Sequence, residues 1–91
     1  MKKYRETKAR KVIARLPLAV QNSIESCVSL MAMEIANGNE EEKQKWSSRN
    51  AGAVDMLCTL GLITISEEML VNEYNIHMAY EKADEIRNGA A

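Results

Sequence analysis

The sequence predicts an all-α fold: a compact bundle of four antiparallel helices, or of three longer ones with a bent segment. Three observations carry this. Apolar residues recur mostly three and four positions apart, the spacing of one helical face. Aromatic residues make up only 4% of the chain and proline occurs once, so strand character is weak. Helix-stopping residues fall at a few separated places, chiefly Leu16-Pro17, Asn37-Gly38 and Gly61.

The first segment, residues 1–16, places Ala9, Val12, Ile13 and Leu16 on one face. Pro17 restricts the residue before it and suits the first position of a following helix. The second segment runs to Asn37 with a stripe of Val20, Ile24, Cys27, Val28, Met31 and Ile35. Leu30 and Met33 fall off that stripe, on the far side of the helix. Asn37-Gly38 supplies the stop, since both residue types tolerate the left-handed conformation.

The third segment opens with Asn39 as cap and Glu42 three residues later, and Glu40, Glu41 and Glu42 complement the helix dipole. Trp46, Asn50, Ala53, Leu57 and Leu60 follow at helical spacing. The stretch from Ser47 to Gly52 is weak in helix propensity, which predicts a bend or a split there. Gly61 ends the helix and Leu62 packs back on its last turn. The fourth segment starts at Thr64, with Glu67 as capping-box partner, or at Ser66, and runs to Asn88-Gly89. Leu70, Tyr74 and Met78 form one strip on it; Met69, Ile76, Tyr80 and Ala83 form another. The expected core comprises Val12, Ile13, Leu16, Val20, Ile24, Val28, Met31, Ile35, Trp46, Ala53, Leu57, Leu60, Leu70 and Tyr74.

At 91 residues the chain is one domain, 1–91, with a thin core that a second chain would thicken. The surplus strips on the second and fourth segments place that contact. Leu30, Met33, Met69, Ile76 and Tyr80 are the candidate protein interface, either with a copy of the chain in a homodimer or with another protein.

Composition argues against chemistry. Two cysteines, Cys27 and Cys58, and one histidine, His77, provide neither a disulfide framework nor a zinc ligand set. The glycines are scattered and build no phosphate loop. No catalytic residue, cofactor site, metal or small-molecule substrate is expected, and the chain reads as a non-enzyme. No apolar run spans a membrane and no secretory leader is read, so a cytoplasmic location is expected.

The net charge of −1 conceals an asymmetry. Residues 1–16 hold seven basic side chains against Glu6, giving +6, and the remainder gives −7. The basic residues are Lys2, Lys3, Arg5, Lys8, Arg10, Lys11 and Arg15. They would be neutralised by the acidic fourth segment, dock on an acidic protein, or hold nucleic-acid phosphates.

Ser48 to Ile63, ending Leu60-Gly61-Leu62-Ile63, resembles the recognition helix of a winged helix-turn-helix protein. The resemblance implies that Lys45, Ser47, Ser48, Arg49 and Asn50 face a DNA groove, with Arg49 and Asn50 reading bases. The sequence departs from that pattern after Ile63, where a charged helix replaces the wing strands, and at Glu40–Glu42, which phosphates repel.

Two functions follow. The first is a small non-enzymatic regulator or inhibitor, suited to a phage or plasmid source, acting by protein–protein interaction. The alternative is a DNA- or RNA-binding regulator using the basic segment with Arg49 and Asn50.

Overall fold

The structure, a computed structural model, describes residues 1–89. All regular structure among them is helical: α1 (Lys3–Ala14), α2 (Leu18–Ala36), α3 (Glu40–Thr59) and α4 (Ile65–Arg87). Helices α2, α3 and α4 each pack against the other two, and α1 lies mainly along α4.

The connections follow from local chemistry. Pro17 stands just before α2 as its cap residue, with extended ψ, rather than at the first helical position. Its carbonyl accepts from Val20 and Gln21. Asn39 serves two helices: its N–H donates to Glu34 O and closes α2, and its Oδ1 accepts from the Glu42 N–H and opens α3. Gly38 between them has φ +71°, a value that costs a side-chain-bearing residue energy. Gly61 repeats the device after α3, with Leu62 N–H donating to Leu57 O and Gly61 N–H to Cys58 O. Thr64, not Ser66, caps α4, and the capping box with Glu67 is complete in both directions.

Helix α3 runs unbroken through Ser47–Gly52, contrary to the bend its propensities suggest. Tertiary packing overrides propensity here: Asn50, Val54 and Leu57 are all buried against neighbouring helices.

The core joins all four helices. Val12 and Leu16 meet Ile24, Val28, Met31, Ala32 and Ile35 of α2, Val54 and Leu57 of α3, Ile63, and Val71, Ala79 and Ala83 of α4. Four expected core residues lie outside it: Leu70 is buried apart from this cluster, Tyr74 is half-buried, and the other two are exposed. Ala53 is exposed and Leu60, as the C-cap residue of α3, is 65% exposed. On α4 the buried line is Leu70, Val71, Asn75, Ala79 and Ala83, which takes Leu70 from one expected strip and Ala83 from the other and joins them through Val71, Asn75 and Ala79. Alanines there let α2 approach closely, and asparagine enters the interior.

Candidate protein-binding face

The basic segment meets the acidic helix. Arg5 pairs with Glu73, Arg15 with Glu67 at 2.7 Å, and Arg10 with Glu6 at 2.7 Å. Arg10 also donates to the Tyr74 hydroxyl at 3.3 Å. The Arg5 guanidinium holds the Glu73 carboxyl below its ordinary range. The Thr64 cap bond, with Arg15, does the same for Glu67. The arginines are thus occupied within the chain. Lys2, Lys3, Lys8 and Lys11 are exposed and make no ion pair among the described residues.

Arg49 and Asn50 do not share a surface with these lysines. Asn50 is only 3% exposed and its Oδ1 accepts from Asn75 Nδ2 at 3.1 Å, so it is withdrawn from any base edge. A sequence reading of one helix turn cannot distinguish an outward Asn from one bonded inside. Arg49 is exposed and stacks its guanidinium over Trp46, 4.9 Å from the ring centroid. It borders a groove between α2 and α3, whereas α1 lies mainly along α4.

That groove encloses about 580 Å³. Val20, Cys27, Leu30, Trp46, Ala53 and Met56 are prominent in its lining, and Arg49 is its one charged residue. The Cys27 thiol donates to the Trp46 carbonyl at 3.4 Å, which ties the two walls together. Burial pushes the thiols of Cys27 and Cys58 up, away from nucleophilic thiolate character. His77 pairs with Glu81 at 3.1 Å within α4. No group of metal-ligating side chains assembles among the described residues. No helix among them is long and apolar enough to cross a membrane.

The five candidate interface residues are all exposed, but they fall on two helices facing different neighbours. Leu30 borders the α2–α3 groove, and Met33 lies on the exposed side of α2, 51% accessible. Met69, Ile76 and Tyr80 form one line along α4. Glu73, engaged by Arg5, lies beside that line, and the Tyr80 hydroxyl accepts from Lys43 at 3.4 Å.

The exposed side of α2 is unusual. Its exposed residues are Leu18, Ala19, Asn22, Ser23, Glu25, Ser26, Leu30 and Met33, and only Glu25 is charged. Exposed positions of α1, α3 and α4 each carry several charges. A helix facing water ordinarily carries them too, and their absence marks an interface more reliably than apolar content does. The sequence holds the clue: Leu18 to Ala36 contains just two charged residues, Glu25 and Glu34.

No protein-family model, curated protein or solved structure matches the chain.

Proposed function

We propose that this protein is a small non-enzymatic regulator or inhibitor that acts by protein–protein contact, through the exposed side of α2 and its groove with α3. Asn39 closes α2 and opens α3 within one turn, and the two helices pack against each other, so this face is a strip of two neighbouring helices. The charge-poor exposed side of α2 carries the reading. Around it, Leu30, Met33 and Met56 supply adaptable apolar surface. The line of Met69, Ile76 and Tyr80 is the lesser surface, because charged and hydrogen-bonded neighbours interrupt it.

The test is the association isotherm of the purified chain, with itself and with any recovered partner. Leu30→Glu and Met33→Glu are expected to weaken association by at least about tenfold, roughly 1.4 kcal/mol, with helix content unchanged. Ile76→Glu is expected to change it less. A chain that associates with nothing, or whose α2 variants associate like wild type, overturns the reading.

A second reading, DNA or RNA binding, is favoured by one observation: Lys2, Lys3, Lys8 and Lys11 are exposed and free of ion pairs among the described residues. It now rests on phosphate contacts alone, without Asn50 as a base reader. A mobility-shift titration at low salt tests it, and no retardation there removes it.

A further inference from the structure

We infer that the occupant of the α2 face is a second copy of this chain, related by a twofold axis along α2, so that Glu25 of each protomer meets Arg49 of the other. The inference rests on the reading of that face as a protein-binding surface.

Glu25 and Arg49 flank the face on its two sides. Glu25 borders the cleft that α2 forms with α1 and α4, and Arg49 borders the groove with α3. Both are exposed, and neither makes an ion pair among the described residues. The cations nearest to Glu25 along its cleft are engaged elsewhere. Lys82 donates to Ser29 Oγ at 3.4 Å, and Arg10 holds Glu6 and Tyr74. Arg49 has only the Trp46 ring.

The two charges also stand at nearly one level. The Cys27–Trp46 bond fixes the register of α2 against α3. Glu25 lies two residues before Cys27 and Arg49 three after Trp46. In antiparallel helices these steps run in the same direction, about 3 Å and about 4.5 Å. A twofold axis along α2 exchanges the flanks of the face and preserves level. It therefore brings each glutamate to the partner's arginine, twice over, as an isologous contact requires. An unrelated partner would need to supply both charges at matching positions; a second copy already has them.

The same axis sets the two α2 helices parallel, which gathers Leu30 and Met33 of both protomers at one end. Ala19, Ser23 and Ser26 present small, exposed side chains on the side of α2 that borders the groove with α3, which allows the partner's helix a close approach there. An antiparallel arrangement would lay Leu30 and Met33 over the partner's exposed Leu18, but it keeps the flanks of the face and so sets Glu25 on the side of the partner's Glu25 instead of its Arg49.

Sedimentation velocity at micromolar concentration and physiological salt tests the pairing, with circular dichroism to show that each variant folds. Wild type is expected to be dimeric. Glu25→Arg and Arg49→Glu are each expected to weaken the dimer by about tenfold or more, and the double variant to recover most of that loss. A monomeric wild type overturns the second copy as occupant. A dimer indifferent to both single variants, or a double variant with no recovery, overturns the pairing. Met33→Glu separates this from the parent reading: if it breaks the dimer while the charge variants do not, the α2 face stands and the Glu25–Arg49 match falls.

Discussion

Asn75 of α4 donates its side-chain N–H to Oδ1 of Asn50 of α3 at 3.1 Å, and both residues are almost wholly buried. An amide pair in an otherwise apolar interior fixes register, because sliding either helix strands a donor or an acceptor away from water. It also explains why the expected strips on α4 meet the buried line only at Leu70 and Ala83, since its middle runs through this asparagine.

Asn75→Ala is therefore expected to destabilise the fold by about 1–3 kcal/mol, since Asn50 Oδ1 would stay buried without its donor. Asn50→Ala is expected to do the same from the other side. The double variant should cost clearly less than the two single losses together. Urea unfolding of the four chains measures this, and simple additivity would show that the bond contributes nothing beyond packing.

Much of the architecture is legible in the sequence because turn chemistry is local. Asn39, Gly61, Thr64 and Glu67 act within a few residues of themselves, and the helices begin and end where those residues place them. Facing is less legible. Apolar periodicity finds Val28, Met31 and Leu57 but passes over Ala32 and Ala79, which are buried because they are small at close crossings. It passes over Asn75, and it sets Asn50 on the α3 stripe without showing that it is bonded inside, because each partner lies on another helix. The proposed binding face is half visible in the sequence through Leu30 and Met33, which fall off the apolar stripe of α2. Its strongest mark, missing charge, stands in the sequence from Leu18 to Ala36, but which side of that helix is exposed only the packing of α2 defines.

Gly52 lies within α3 at an exposed position, and a Cβ built there meets nothing within 4 Å. Its backbone is not among the positive-φ glycines. Gly52→Ala is therefore expected to raise stability by about 0.5–1 kcal/mol, by restricting the unfolded chain and favouring the helix. The measurement is the urea midpoint at unchanged m-value. A loss of stability would mean that α3 needs its glycine, as a bend at this point would require.

Thr64 and Ser66 are rival caps in the sequence, and the structure gives the role to Thr64. Thr64→Ala is expected to lower stability by about 1 kcal/mol, whereas Ser66→Ala should change it little. Thermal denaturation of both variants decides it. Equal losses would mean that the helix start moves between the two residues.

The attachment of α1 to α4 is expected to weaken in acid and in salt before the rest of the bundle does. Glu67 and Glu73 carry carboxyls held below their ordinary range, chiefly by the Thr64 cap bond at one and the Arg5 side chain at the other. A depressed folded-state pKa means that the contribution is present at neutral pH and lost as pH falls through the carboxylate range. Glu68 acts with the opposite sign and at another contact: burial and Asp55 of α3 raise its carboxyl, so its protonation in acid favours the packing of α3 on α4 while the attachment of α1 weakens. Burial of Ala9, Val12 and Leu16 keeps the segment docked at neutral pH, and the exposed ion pairs add a modest, salt-screened increment. Hydrogen exchange of α1 amides, compared with those of α2 and α4, reads this directly. Protection in α1 should fall first on acidification and in high salt, and Arg5→Gln with Arg15→Gln should lower it at neutral pH and remove most of the salt dependence. Uniform loss across all four helices would show that α1 is held by its apolar face alone.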